Sequence, residues 1–394
     1  MYVLYGRRIV LGLIAIIIIV LALRGIPHRP VGGIPLSLER LIGTRLNMLF
    51  SERAEAVICG DIDTLASHYD LDSRYGQWAF DHEMRRSAYL TAWSAARGIK
   101  FLDTEVEIRI NSIELRGTTA WIELDESTKI VYRHKSQSAS KFDFFGIGTE
   151  HFIELAFKDG AWLVRRDWYL DPLDVDADSI STDAALVSTS ENLLVTPGQL
   201  DAHPGEVTRK DYDSIYDREN AVAYAEKYCG LAWGCGNNHK YNPSYKNFTG
   251  LGGDCTNFAS QILGDEQAGN LPMTYTWRYV PYGPTAGATR AWAQASGLLN
   301  YLLSSGRAKT LARATYANLI TPSETYPVGA IGALNKGDLI VYEDKGRIVH
   351  FAVVVSQDSG SYLVVNSHTA DRYHVPWDLG WDRSTIFWLI KIVV

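Results

Sequence analysis

The period of the apolar positions changes several times along the chain, and each change predicts an element. Residues 9–23 are apolar without a break and are bracketed by Arg7, Arg8 and Arg24. A surface helix would interrupt such a stretch with polar residues. Over residues 36–96 apolar side chains return at helical spacing, as in Leu38, Leu41, Leu46 and Leu49, then Ala56 and Val57. Gly60-Asp61 predicts the break between two helices. Strand-like segments follow at 106–115, 120–133, 151–157 and 162–170, divided by turn signals such as Arg116-Gly117 and Lys158-Asp159-Gly160. The alternation Val106, Ile108, Ile110 turns one face inward, which predicts an antiparallel sheet backed by helices.

Residues 171–211 are rich in Asp, Ser and Thr and read as an acidic linker. Helical periodicity resumes over 216–229, with Asp217 as cap and Ala221, Tyr224, Ala225 and Tyr228 along one stripe. The most informative segment follows. Gly252-Gly253-Asp254 sets up a turn and an N-cap; Phe258, Ala259, Ile262 and Leu263 then recur at helical spacing, and Gly264 ends the run. Cys255 is thereby placed in the first turn, where unsatisfied N–H groups and the helix dipole favour thiolate over thiol. Asp254 opposes that charge unless its carboxylate caps the helix.

Nearer the C-terminus, 339–342, 348–355 and 362–368 read as a three-stranded meander, with Asp344-Lys345-Gly346 as its first turn. Alternation puts His350, Ala352 and Val354 on one face, and Asn366 and His368 together on one face of the next strand. A cysteine on a helix, an imidazole on one strand and a polar group on its neighbour is the set a cysteine hydrolase needs: the imidazole takes the thiol proton and the third group fixes its tautomer. Asn366 and His368 both remain candidates for the third role.

Composition narrows the classes. A chain of 394 residues suits two or three domains, and 46% hydrophobic with 21% charged residues is globular. A net charge of −7 with no basic run excludes phosphate-driven binding to nucleic acid. The four cysteines form no CxxC pair; Cys229 with Cys235 is the one short-range disulfide their spacing allows, and outside that option Cys59, Cys229 and Cys235 read as small buried hydrophobes. Cys229, Cys235 and His239 fit no common metal site, and His82-Glu83 starts like a zincin helix but has Arg86 where the second histidine belongs. Neither metal nor cofactor is expected. Trp277, Trp292, Trp377, Trp381 and Trp388 read as core, and Asp371 with Arg372 as a structural pair.

As a helix, residues 9–23 would cover about 22 Å, short of the roughly 30 Å hydrocarbon core, with arginines at both ends to reach the interfaces. Ala22-Leu23-Arg24-Gly25 lacks the small-x-small pair of a cleavage site, so residues 1–30 read as a retained signal anchor rather than a cleaved signal peptide. The expectation is a single-pass membrane protein with extracytoplasmic domains, or else a secreted one.

Two resemblances sharpen this reading. The element order of residues 36–170 resembles the helix-plus-curved-sheet folds of the nuclear-transport-factor-like class. Residues 212–394 resemble the putative amidase domain family, related to CHAP and NlpC-type cell-wall peptidases. The matching stretches are Tyr216-Asp217-Arg218-Glu219, Ala221-Val222-Ala223-Tyr224-Ala225, Gly252 through Gln261 around Cys255, Trp292, Asn300-Tyr301-Leu302, Gly337-Asp338, His350, and His368-Thr369 with Asp371-Arg372. The resemblance implies a papain-like α+β fold, a Cys255 and His350 dyad, and cleavage of amide bonds in peptidoglycan peptides. It also implies that much of 265–336, including a helix over 288–303, is an insertion that shapes the groove. The competing expectation is a wall-binding or assembly protein that keeps the hydrolase fold without activity.

Overall fold

Turn chemistry divides the helical opening into three helices, not two. In the computed structural model, which describes residues 36–394 except 139, 181–214, 252 and 283–286, α1 spans Leu36–Cys59, α2 Ile62–Ser67 and α3 Arg74–Ala96. The short α2 exists because Asp61, expected to end a helix, also starts one: its carboxylate accepts from the Thr64 N–H at 3.0 Å. Residues 9–23 and most of 171–211 lie outside the described residues. Among the described residues no helix is long and apolar enough to cross a membrane.

Four strands follow: β1 (Ile99–Arg116), β2 (Thr119–His134), β3 (Asp143–Lys158) and β4 (Ala161–Tyr169), paired antiparallel in that order. They cover the first three predicted segments and run beyond them, because cross-strand pairs such as Lys129 with Glu105 carry the ladder past the apolar stretch, and the fourth strand ends one residue short of Leu170. Ala56, Val57, Leu90 and Trp93 from α1 and α3 pack with Ile130, Tyr132, Phe145 and Ile147 of the sheet.

The C-terminal half adds α4 (Arg218–Lys227), α5 (Cys255–Gly264), α6 (Arg290–Ala293), α7 (Ala295–Ser304), α8 (Tyr316–Ile320), six strands of the main sheet and a small separate pair, Tyr279–Val280 with Gly287–Ala288. The main-sheet strands are β5 (Ala308–Ala314), β6 (Leu339–Asp344), β7 (Arg347–Gln357), β8 (Leu363–Ser367), β9 (Asp371–Pro376) and β10 (Ile386–Ile392). The helix expected over 288–303 is two, because Gln294 adopts an extended conformation between them. Together the strands form one ten-stranded sheet in the order β1-β2-β3-β9-β8-β7-β6-β10-β5, with β4 on the far part of β3. The fold is mixed α+β with a large antiparallel sheet.

The join between the halves is β3 against β9, in the register Asp371 to Gly148 and Tyr373 to Gly146. The two glycines are required there. A Cβ on Gly146 would stand 2.0 Å from the Trp233 carbonyl oxygen, and one on Gly148 would meet the Leu231 backbone. Residues 42–394 form one compact unit. Just past β4, Leu173 and Ile180 are buried in the apolar cluster under α3, so the start of the expected linker is packed chain.

Helices cover one face of the C-terminal strands, where Phe351, Val353 and Val355 join Phe258, Ala259 and Ile262. On the opposite face Ala352 and Val354 join Tyr316, Tyr342, Trp377 and Phe387. Each fully buried Phe or Ile here contributes about 1.5–3 kcal/mol. Trp277, Trp292 and Trp377 are core as expected, while Trp381 and Trp388 are half-buried. Cys229 and Cys235 form a disulfide; Cys59, expected inside, is exposed because it ends α1 next to the turn at Gly60.

Candidate active site

Helix α5 begins at Cys255, and all ten of its residues are buried. That burial is possible because its start is fastened by side chains. The Asp254 N–H donates to Thr369 Oγ1 at 2.7 Å. The Asp254 carboxylate caps no backbone N–H of α5, contrary to the role its position suggested. Instead its Oδ1 accepts from the Phe248 N–H and from Asn257 Nδ2, both at 2.8 Å, and its Oδ2 from His368 Nδ1 at 2.7 Å.

His368 is held on every side. Its Nε2 donates to the Tyr228 carbonyl at 2.7 Å, and its ring stacks on Phe258 with centroids 3.7 Å apart. A carbonyl and a carboxylate both accept, so both ring nitrogens must donate and the ring carries a proton. Burial opposes that charge, but the Asp254 hydrogen bond and the charge of Asp371 outweigh it and raise the pKa. Asn366 is equally committed: Nδ2 donates to the Ala225 carbonyl at 3.1 Å, and Oδ1 accepts from the His374 N–H at 2.8 Å.

The sulfur of Cys255 lies 3.7 Å from Thr256 Oγ1, and the backbone N–H of Phe351, the residue after His350, is near enough to favour its thiolate. Only 8% of Cys255 is exposed. Burial pushes its thiol pKa up, and the Phe351 and Thr256 hydrogen bonds do not overcome that. The first-turn position therefore leaves a protonated thiol, where the helix-dipole argument favoured thiolate. Desolvation is the effect that wins.

His350 lies on the face of Ala352 and Val354, as alternation requires. Its ring centroid is 5.4 Å from that of Tyr342 and 5.7 Å from that of Trp381. It is 6% exposed, and its Nε2 has no hydrogen-bond partner. Burial, then the positive charges of Arg372 and His368, hold its pKa well below the ordinary histidine value. Among the described residues no hydrogen bond joins His350 to Cys255, and Asn366 and His368 direct theirs to α4, β9, Asp254 and Tyr228. Both partners of the expected dyad are thus neutral: Sγ lies by the backbone N–H of Phe351, while the His350 ring packs with Tyr342 and Trp381 on the face of β7 opposite α5, its Nε2 free to accept.

Some of the site escaped the sequence reading. Asp371 and Arg372 are not a pair: as strand neighbours they point to opposite faces. Asp371 accepts from the Leu231 N–H and Tyr241 Oη, while Arg372 donates to the carbonyls of Leu379 and Pro172. Tyr342, Trp381 and Arg372 around His350 had no local signal. The predicted insertion packs against α5: Trp292 Nε1 donates to Asn257 Oδ1 at 2.8 Å, and Leu298 and Leu302 enter the same core.

Elsewhere, ligand atoms of His134, Asp143 and Asp358 lie within 4.8 Å of one another. Their oxygens are already engaged. Asp358 accepts from Tyr132 Oη, His134 Nε2 and the N–H groups of Gly360 and Tyr362, and Asp143 from the Ser359 N–H and hydroxyl. The trio fastens β2 and the start of β3 to the β7–β8 turn. His82 hydrogen-bonds Asp171 Oδ2 at 2.9 Å, so it too has a protein partner.

Residues 215–390 match the family model described as Putative amidase domain. No curated protein matches the chain. Among solved structures, the intermembrane-space region of the chloroplast protein ARC6 is 15% identical, with 35% of this chain and 98% of that one covered and a TM-score of 0.23. A Mycobacterium tuberculosis protein of unknown function is 14% identical, with 40% and 91% covered and a TM-score of 0.24.

Proposed function

We propose that the chain is a cysteine-dependent hydrolase of amide bonds, with Cys255 as nucleophile and His350 as base. The observation that carries this is the Cys255 sulfur at the start of a buried helix, touching the backbone beside a buried imidazole whose Nε2 is unpartnered. The match of residues 215–390 to an amidase family supports the reaction class.

The resting pair is neutral thiol and neutral imidazole, so proton transfer accompanies attack instead of preceding it. With the His350 ring turned from the Tyr342 side of β7 toward the sulfur, Cys255 attacks the amide carbonyl while His350 takes the thiol proton, then delivers it to the leaving nitrogen; water releases the acyl group from sulfur. Asn366 and His368 act on the frame: His368 through Asp254, which precedes the nucleophile, and Asn366 by tying β8 to α4 and β9. In this proposal the domain has the papain-like arrangement of the CHAP and NlpC-type enzymes. The substrate is a peptide of peptidoglycan, reached by a chain anchored at the membrane through residues 9–23 or secreted.

A second reading has the resting state of the same pair in its favour. The raised thiol, the depressed imidazole and the missing hydrogen bond between them also fit a wall-binding protein that has kept the fold without turnover. The purified chain, incubated with wall fragments, should release peptide products seen by mass spectrometry, and Cys255→Ala should reduce release on the order of 10⁴-fold. Unchanged release from that variant would sink the hydrolase assignment.

A further inference from the structure

Four arginines are buried among the described residues, and three face carboxylates. Arg53 pairs with Glu83, Glu126 and Asp167, Arg86 with Glu83 and Asp171, and Arg97 with Asp378. Arg372 is 4% exposed, and no carboxylate of the described residues lies within ion-pair distance of it. Two backbone carbonyls take one bond each from its terminal nitrogens, and its Nε has no partner. A buried cation without a direct ion pair is costly, and here the more distant charge of Asp171 offsets only part of that cost.

The ring of Trp381 lies 5.9 Å from the Arg372 guanidinium and 5.7 Å from the His350 ring. Trp381 is half-buried, and its own Nε1 is also without a partner. Two N–H donors, Arg372 Nε and Trp381 Nε1, are therefore left without an acceptor around the Trp381 ring, and the neutral ring of His350 beside them offers an unpartnered Nε2.

We infer that Arg372 is the substrate-binding residue for a carboxylate, and that the amide cleaved belongs to a peptide with a free carboxylate beside the scissile bond. This rests on the hydrolase reading above and adds the substrate class to it. The guanidinium fork pairs with a carboxylate through parallel N–H bonds, which a lysine cannot reproduce. A carboxylate seated there also cancels the positive charge that disfavours protonation of His350, so the base becomes more able to take a proton once substrate is in place.

The test uses two ligands of one shape, N-acetylglycine and the uncharged N-acetylglycinamide, titrated calorimetrically into the full chain. N-acetylglycine should bind at least about tenfold more tightly. The preference should persist in Cys255→Ala, vanish in Arg372→Gln and survive only in part in Arg372→Lys. Equal binding of the two ligands by the unaltered chain overturns the inference, as does a preference that survives in folded Arg372→Gln. Should Arg372→Gln fail to fold, the unaltered chain and Arg372→Lys still decide it. A chain that prefers the carboxylate yet releases no wall peptide keeps the Arg372 site and loses the hydrolase reading, so the two failures are distinct.

Discussion

Two buried polar clusters sit on the same sheet and are built on opposite rules. In the N-terminal half, Arg53 donates to Asp167 at 2.8 Å and Glu126 at 2.9 Å, and His151 bridges the same two carboxylates at 2.9 Å each. Tyr169 Oη closes the group on Glu83 at 2.6 Å. Burial opposes every one of these charges, yet the arginine and histidine hold Glu126 far below the usual carboxylate range. In the C-terminal half, Cys255, His350 and Arg372 are also buried, but the thiol and imidazole are pushed toward neutrality and the arginine makes no ion pair with a carboxylate of the described residues. The first cluster spends its charges on itself. The second keeps a neutral thiol, a neutral imidazole and one arginine outside any ion pair, which is what a site that must bind and react requires.

The comparison breaks most directly at Arg53. Arg53→Met removes one cation and leaves Glu83, Glu126 and Asp167 buried without it, so the expected loss is about 3–5 kcal/mol in urea unfolding. The rate at which iodoacetamide alkylates Cys255 in the folded fraction should stay unchanged, with the exposed Cys59 as an internal reference. A variant that keeps its stability but slows that alkylation would show the N-terminal cluster to be part of the reacting site.

How far the sequence reveals each cluster follows from range. Cys255 at a helix start and His350 on a strand were legible because caps and alternation act over a few residues. The N-terminal cluster was not: Arg53, Glu126, Asp167 and His151 come from α1, β2, β4 and β3, and nothing local tells a charged residue that will meet partners from one that will face water. The same holds for Arg372, where alternation separates it from Asp371 but cannot say that Leu379 and Pro172 will supply its acceptors. The register of β3 against β9 was hidden for a further reason. Gly146 and Gly148 look like strand breakers in isolation, and only the chain passing over them at residues 231–233 explains them.

A smaller effect is expected at the fastening of α5. Asp254→Asn keeps the shape but removes the charge that holds His368 protonated, and one amide cannot accept from all its present donors. Cys255 would then shift by a fraction of a residue, and displacements of that size cost about 10²-fold in rate. Alkylation of Cys255 and amide release should fall together, while urea stability changes by about 1.5–3 kcal/mol, the range for a hydrogen bond to a charged group. Unaltered alkylation would mean that His368 and Asp254 stabilise the fold without positioning the sulfur.

The gentlest probe is pH, because the two histidines flanking this site should respond with opposite sign. The pKa of His350 is depressed, so its contribution to stability is fully present above the ordinary histidine pKa of about 6.5 and is lost as pH falls through the folded value. The pKa of His368 is raised, so its contribution is fully present below about 6.5 and is lost as pH rises through the folded value. His82 and His151, also raised, add to the alkaline loss, so the whole chain cannot resolve the two. Single variants can. Relative to the unaltered chain, His350→Asn should flatten the acid-side fall in urea stability, and His368→Gln the fall that begins above neutrality. If both variants change the same limb, the ring of His350 is not held neutral by its surroundings, and the division between a charged fastening and an uncharged reacting pair fails at its centre.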